Sequence, residues 1–361
     1  MKKKAIIAMS GGVDSSVAAC LMKQQGYDCM GVTMKLFANE DIGISREHSC
    51  CSLDDVEDAR SVARALEIPY YVFNFSDRFR EDVIERFISA YENGRTPNPC
   101  IDCNRYLKFD KLYHRANELG YDFVVTGHYA RVERDASSGR YLLKKAVDAA
   151  KDQSYVLYAM TQEQMAHTLF PLGGMTKPGV RKIAEEQGFV NARKHDSQDI
   201  CFVQHGNYAD FIEEYTGKSY PEGDFLDLDG HVLGRHRGII RYTVGQRKKL
   251  GLSFTEPMYV CGVNPSDNTV ILGEESALYS RILTARGINL ISVSSVDRPM
   301  RLKAKVRYRQ RESWATVIQP DEDTLRVEFD EPQRAVTKGQ AVVLYDGDTV
   351  VGGGTIQETG L

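Results

Sequence analysis

Short apolar runs alternate with amphipathic stretches through the first third of the chain, and that alternation predicts strands separated by helices. A strand spans Lys4 to Ala8, a turn follows at Ser10-Gly11-Gly12, and a helix runs from about Asp14 to Gln25, where Gly26 closes it. The pattern then gives a strand at Cys29 to Met34, a helix at Asp54 to Leu66 and a strand at Tyr70 to Phe75. Helices near Phe79 to Tyr91 and Phe109 to Leu119 precede a further strand at Phe123 to Thr126. Strands joined through helices lie parallel, so the expected fold class is α/β with a doubly wound parallel sheet, its ligands beyond the carboxyl ends of the strands.

Beyond about Gly206 the period changes. Leu226 to Leu233 reads as a hairpin with its turn at Asp229-Gly230. From about Ala277 onward, period-2 segments recur at Leu302 to Tyr308, Trp314 to Ile318, Leu325 to Phe329 and Ala341 to Tyr345, the signature of a small antiparallel barrel. Three domains are expected: a catalytic domain over residues 1–205, a small central domain over 206–276 and a C-terminal β-barrel over 277–361.

Composition agrees with a globular chain. Of 361 residues, 42% are hydrophobic and 27% charged, which excludes fibrous and wholly disordered classes. No apolar run approaches the roughly 20 residues of a membrane span, and the Lys2-Lys3-Lys4 start is followed by too short an apolar stretch for a signal peptide. A cytoplasmic protein with no membrane partner is expected. Eight cysteines are too sparse for a secreted disulfide scaffold and read as thiols, metal ligands or catalysts. The net charge of -4 argues against a general nucleic-acid coat but leaves room for local basic patches.

Candidate chemistry begins at Ser10-Gly11-Gly12-Val13-Asp14-Ser15-Ser16, between the first strand and first helix. Two glycines let the backbone approach an anion, several N–H groups can converge on it, and the helix N-terminus adds a favourable dipole. The string lacks the Gly-Lys-Ser/Thr ending of a P-loop, so lysine-assisted γ-phosphate transfer is not supported. It resembles the pyrophosphate loop of the N-type ATP pyrophosphatases, which cleave ATP between the α and β phosphates and adenylate a carbonyl or carboxyl group.

A second constellation is Asn98-Pro99-Cys100-Ile101-Asp102-Cys103, stiffened by Pro97 and Pro99 and read as a loop just before a helix. Basic Arg105 and Lys108 and the helix N-terminus favour thiolate. A third cysteine, Cys201, follows Asp196-Ser197-Gln198-Asp199, while Cys20, Cys29 and Cys261 read as small buried apolar residues. Together with Thr126-Gly127-His128-Tyr129, Lys151-Asp152-Gln153-Ser154-Tyr155, Gly245-Gln246-Arg247-Lys248, Arg307-Tyr308-Arg309-Gln310 and Lys338-Gly339-Gln340, the pattern resembles the tRNA-specific 2-thiouridylase family over essentially the whole chain. Members replace O2 of the wobble uridine of tRNA, position 34, with sulfur at the expense of ATP.

The resemblance implies an adenine nucleotide alpha hydrolase-like catalytic fold, and it implies roles for particular residues. Ala8, Met9, Ser10, Gly11, Gly12, Val13, Asp14, Ser15, Met34 and Gly127 would line the ATP site, with Mg²⁺ expected beside the nucleotide. Cys103 would be the nucleophile, and Cys201 would carry the persulfide and pair with it in a disulfide. Asn98, Pro99 and Cys100 would meet the target base. His128, Lys151, Asp152, Gln153, Tyr308, Arg309 and Gln340 would touch tRNA. The implied partners are tRNA and a sulfur donor such as a cysteine desulfurase or sulfur-relay protein.

Where many members carry Asp, this chain has Cys100. Three thiols at Cys100, Cys103 and Cys201 match the ligand number for three irons of a [4Fe–4S] cluster, so a cluster route stands beside the persulfide route. A zinc site completed by Cys50 and Cys51 is disfavoured because adjacent cysteines are poor tetrahedral ligands. Arg301, Lys303, Lys305, Arg307, Arg309 and Arg311 occupy alternate positions, which on a strand would gather the cations on one face for phosphate contact. Arg235 to Lys249 adds basic residues without an acid.

Overall fold

The computed structural model describes residues 2–37, 53–195, 200–203 and 207–360. Cys50, Cys51 and Asp196 to Asp199 lie outside the described residues. The chain forms two compact units. The first comprises Met1–Val83, Pro99–Gly206 and Asp348–Val350; the second comprises Ile84–Asn98, Asn207–Gly347 and Val351–Leu361.

In the first unit the strands β1 (Lys4–Ala8), β2 (Asp28–Lys35), β3 (Tyr70–Asn74) and β4 (Phe123–Val125) form within a residue or so of their sequence-predicted bounds. The hairpin β5 (Ala130–Arg134) and β6 (Tyr141–Lys145) follows, and β7 (Thr168–Leu169) completes a parallel sheet in the order β3-β2-β1-β4-β7. Ala5, Ile6 and Ile7 of the central β1 are completely buried, as a strand covered on both faces requires. Helix α1 (Val13–Gln24) packs on α2 (Leu53–Ala65) and on the helix Lys177–Glu186, burying Val17, Ala18, Val62 and Val180 in one apolar cluster. The chain reverses direction across the sheet between β1, with β2 and β3 on one side, and β4, with β7 on the other. In such folds that switch point is where ligands bind.

The helix expected from Phe109 begins earlier. Pro99–Asp102 is already helical and runs on through Cys103–Lys111 into Leu112–Glu118. Cys100 and Cys103 therefore sit within helical turns rather than on a loop before them. Proline at the first helical position has no N–H to lose and a φ suited to a helix, so Pro99 starts this element where it was read as stiffening a loop. The middle segment is π-type: Leu112 N–H bonds back to Leu107 O, five residues earlier.

In the second unit, Tyr91 stacks on Tyr208 with ring centroids 4.3 Å apart, and Phe87 meets Phe211 at 6.5 Å. Lys218 Nζ and Tyr220 Oη each donate to Glu92 Oε1 at 2.7 Å. These contacts draw Ile84–Asn98 into this unit. The expected hairpin is β8 (Gly223–Leu226) with β9 (Val232–His236), joined to β10 (Tyr259–Asn264) and β11 (Thr269–Gly273) in the order β10-β11-β8-β9. Asp227 caps its turn, its Oδ1 accepting from Asp229 N at 2.9 Å and His231 N at 2.8 Å.

The predicted barrel is present and closed. Strands β12 (Tyr279–Leu290), β13 (Met300–Lys305), β14 (Ser313–Asp321), β15 (Thr324–Arg334), β16 (Ala341–Asp346) and β17 (Thr349–Gly360) run in the order β12-β15-β14-β13-β16-β17, and β12 pairs antiparallel with β17 to complete the circle. Leu302, Ala304, Val317, Leu325, Val327 and Val342 fill its interior.

The alternating cations are corrected by this fold. Strand β13 ends at Lys305, so Arg307 and Arg309 lie in the turn that follows and Arg311 just beyond it, and none extends the face of Arg301, Lys303 and Lys305. Arg301 is engaged by Asp330, with its Nη2 2.6 Å from Oδ2. Arg307 is structural: its Nη2 donates to Val244 O at 3.1 Å, Ala335 O at 3.0 Å and Thr337 Oγ1 at 2.7 Å. In the second basic stretch, Arg235 pairs with Asp224 and Arg241 with Asp210 and Glu213, while Arg237, Arg247, Lys248 and Lys249 are exposed. Among the described residues no helix is long and apolar enough to cross a membrane.

Arg307→Met removes three hydrogen bonds to partly buried acceptors, and denaturant unfolding is expected to show a loss of about 1–3 kcal/mol. Wild-type stability in that variant would overturn the bracing role of Arg307.

Candidate active site

The phosphate loop is built by short internal bonds. Ser15 Oγ and Ser16 Oγ each donate to Gly12 O at 3.0 Å, and Ser10 N donates to Ser15 Oγ at 3.2 Å. Gly11 has φ +73°, and a Cβ there would collide with the backbone of Asp55. Asn191, which the sequence reading did not single out, is buried and donates through Nδ2 to Gly11 O at 2.8 Å and Ser16 Oγ at 2.9 Å. Ser10 remains exposed, and Ala8, Gly12 and Asp14 are half-buried, while Met9, Gly11, Val13 and Ser15 are buried.

Gly127 lies against this loop from the end of β4. A Cβ on Gly127 would stand 2.7 Å from the Asp14 carbonyl carbon and 2.8 Å from Ser15 N, inside van der Waals contact, so only glycine permits the approach. The predicted ATP residues on β1, α1 and β4 are thus brought together at the switch point. Met34 stands near the carboxyl end of β2, buried, beside Thr33, whose Oγ1 donates to Met9 O at 2.6 Å.

The residue after Gly127 reaches the thiol helix. His128 is buried, its ring centroid 5.8 Å from Phe109 on the Cys103–Lys111 segment and 5.9 Å from Phe170. Thr126 Oγ1 and His128 Nδ1 share a hydrogen bond of 2.6 Å. Burial pushes the imidazole pKa well below the usual histidine value, and the Lys108 charge adds to this, so the ring is neutral. It is packed as a core side chain and not presented to solvent. Asn104 holds the same helix, donating to Val156 O at 3.1 Å.

The cysteines differ in exposure. Cys100 is exposed, Cys201 half-buried and Cys103 buried at 9%. Cys201 is anchored by Phe202, whose ring meets Phe79 edge-on at 5.7 Å. Among the described residues, one group of three metal-ligating side chains has its ligand atoms within 4.8 Å of one another, and it is Asp227, Asp229 and His231 at the hairpin turn. The three cysteines are not gathered into a mononuclear site. Burial raises the thiols of Cys20, Cys29 and Cys261 above the ordinary cysteine range, consistent with their reading as inert packing residues.

The segment Lys151 to Gln153 is half-buried and carries loop structure. Asp152 Oδ1 accepts from Ala146 N at 3.0 Å and its Oδ2 from Ser154 Oγ at 2.8 Å. Gln153 Oε1 accepts from Tyr129 N at 2.9 Å, and Tyr129 Oη donates to Asp14 Oδ1 at 2.8 Å, which links this segment to the phosphate loop. In the second unit Gln340 Nε2 donates to Thr96 O at 2.9 Å and Pro97 O at 3.0 Å, fixing the chain just before Asn98. Tyr308 is half-buried and Arg309 exposed.

A magnesium ion does not fit at Asp14 as arranged. Both carboxylate oxygens accept from Lys177 Nζ, at 2.7 and 2.8 Å, so the negative charge that would bind a cation is already neutralised by a buried ammonium.

Family models match the chain in three pieces. Residues 3–205 match the tRNA methyl transferase HUP domain, 209–274 the tRNA methyl transferase PRC-barrel domain and 280–356 the aminomethyltransferase β-barrel domain. Relatives named tRNA-specific 2-thiouridylase MnmA match end to end. That of Clostridioides difficile is 52% identical over 359 residues, covering 99% of both chains. That of Acetivibrio thermocellus is 52% identical over 357 residues, again 99% of both, and that of Lachnoclostridium phytofermentans 49% identical over 355 residues, 98% of this chain and 99% of its own.

A ring that is neutral inside and free to protonate once unfolded makes stability fall as pH drops below the ordinary histidine value. His236 in the second unit, also lowered chiefly by burial, acts in the same direction. Urea unfolding is expected to show lower stability at about pH 5 than at pH 7, by up to about 1.4 kcal/mol per pH unit for each such group. His128→Asn should flatten the slope, and an unchanged slope in that variant would show that His128 titrates normally.

Proposed function

Because the chain belongs to the tRNA-specific 2-thiouridylase family, we propose that it is a tRNA-uridine 2-sulfurtransferase acting on the wobble uridine, position 34, with ATP as co-substrate. The observation that carries this reading is the pair Gly127 and His128, of which one abuts the phosphate loop and the next abuts the helix that bears Cys103. A nucleotide held at the loop and a base unstacked toward the thiols would meet at the end of one strand. On this reading three successive domains, 1–205, 206–276 and 277–361, carry catalysis, tRNA contact and further RNA binding. Asn98, Pro99 and Cys100 meet the target base, and Lys151, Asp152, Tyr308, Arg309 and Gln340 serve tRNA contact, with His128 and Gln153 contributing by holding the site together.

The chemistry follows from the leaving group. A urea-like carbonyl oxygen cannot depart until it is made a phosphate ester. O2 of the flipped uridine attacks the α-phosphorus of ATP and pyrophosphate leaves. Cys201 enters the cycle as a persulfide loaded by a sulfur donor such as a cysteine desulfurase. The Cys103 thiolate attacks Cys201 Sγ, forms the Cys103–Cys201 disulfide and releases hydrosulfide. Hydrosulfide adds at C2, AMP leaves with the O2 oxygen, and an external dithiol in the cytoplasm reduces the disulfide. The three different exposures of the cysteines support this division of labour: sulfur is loaded at the half-buried Cys201 and resolved by the buried Cys103.

Cys103→Ala is expected to abolish 2-thiouridine formation, read by nucleoside mass spectrometry, while ATP binding persists; product at the wild-type level would remove Cys103 from the chemistry. Anaerobically purified Cys100→Asp, given ATP, tRNA and sulfide, should retain the wild-type yield. A collapse of its yield would mean that three thiols are required, and a [4Fe–4S] cluster on Cys100, Cys103 and Cys201 would replace the persulfide route.

A further inference from the structure

Trp314 is the single tryptophan of the chain, and 51% of its surface is exposed. On β14 it alternates with Ala315, which belongs to the barrel interior, so the indole stands on the outer wall. A half-open indole leaves a large apolar area in water. The ring is also held in place. Lys303 of β13 pairs directly with Trp314, its Nζ 5.4 Å from the ring centroid, and the Arg301 guanidinium lies 5.8 Å from the same centroid. Arg301 reaches across β14 to β15, donating to Thr316 Oγ1 at 3.0 Å and through both Nη atoms to the Asp330 carboxylate at 2.8 and 2.6 Å. That two-pronged bond fixes the guanidinium beside the indole and cancels the charge of Asp330.

The charge left over around the ring is positive. Lys303, and Arg309 and Arg311 on the connection from β13 to β14, form no ion pair among the described residues, against Glu312 as the one acid of that connection. Arg326 and Glu328 on β15 answer each other at 3.3 Å. A flat apolar face beside spare cations is how proteins hold unpaired nucleotides: a base stacks on the ring, and the adjoining phosphates meet the cations. An acidic polypeptide would use the cations but give the indole no planar partner.

We propose that Trp314 is a stacking platform for an unpaired nucleotide of the RNA substrate, with Lys303, Arg309 and Arg311 on the phosphates beside it. The ring is locked before RNA arrives, so little rotamer entropy is lost on binding. The inference rests on the tRNA reading above.

A chain with one tryptophan supplies its own probe, since indole emission excited to the red of tyrosine absorption reports Trp314 alone. The full-length protein is titrated with a tRNA transcript, single-stranded oligoadenylate, a long RNA duplex and polyglutamate. The transcript and oligoadenylate are expected to quench the emission and to shield it from iodide; the duplex, whose bases are already stacked, and polyglutamate should do neither. Trp314→Ala should weaken tRNA binding roughly 5- to 150-fold, the range for one stacked base, and Trp314→Phe should restore most of the loss. Thermal melts of both variants show that they are folded, and the wild-type quenching does not depend on either. Unchanged emission together with wild-type affinity in Trp314→Ala overturns the proposal and leaves Trp314 as a cover for Arg301 and Lys303. Quenching by polyglutamate as strong as by tRNA overturns it in favour of an acidic polypeptide partner. Wild-type protein that does not bind the transcript at all overturns the tRNA reading as well, so the two failures are distinct.

Discussion

The site depends on a steric constraint at Gly127. Its Cα lies so close to the backbone of Asp14 and Ser15 that no side chain fits between, and the end of β4 is thereby pressed against the N-terminus of α1. From that contact the rest is arranged outward along consecutive residues. His128 packs on Phe109 and so sets the helix carrying Cys103, and Tyr129 bonds Asp14 on one side and Gln153 on the other. Three residues in sequence connect the phosphate loop, the thiol helix and the loop of Lys151 to Gln153. Positioning to within a fraction of an ångström is what a reaction between an activated base and a sulfur nucleophile demands.

The parts of the fold legible from sequence were those where period and punctuation agree. The central strand β1, the Gly-Gly turn and α1 could be read because a continuous apolar run, a glycine pair and a closing Gly26 all indicate the same boundaries. Reading failed where one residue type has two meanings. Pro99 stiffens a loop or starts a helix, and it starts a helix here, which moved Cys100 and Cys103 onto helical turns. Alternation of cations from Arg301 to Arg311 continues past the end of β13, because a turn can repeat a strand's spacing by coincidence; only the contacts of Arg307 reveal that it is an interior brace. His128 illustrates the same limit, since a histidine at a strand end is equally a surface contact or a packed ring. Lys177 and Asn191 had no local signal at all, because their chemistry is created by residues more than 150 positions away.

Polar groups at the site are largely committed to one another before any substrate arrives. Asn191 holds the Gly11 carbonyl and Asp152 closes its own loop; within the second unit, taken by itself, Gln340 likewise braces the chain ahead of Asn98. Such bonds restrict the loops to one geometry, which lowers the entropy lost when a ligand binds. The same residues can therefore matter to RNA recognition without each touching RNA.

The segment Asp348–Val350 belongs to the first unit although residues 207–347 separate it from the rest of that unit. Arg131 Nη2 bonds Asp348 Oδ2 at 2.7 Å, Lys145 N bonds Asp348 O at 2.8 Å, and Thr349 pairs with Lys144 on β6. A ribosome finishes the bulk of the first unit at Gly206 and then needs on the order of ten seconds more to deliver these residues. During that interval the β6 edge of the β5–β6 hairpin is uncovered, open to pairing with a neighbouring nascent chain. Completion of the first unit thus waits for residues 207–347 to be made, and a product truncated before Asp348 would carry the phosphate loop in a unit whose β6 edge is uncovered.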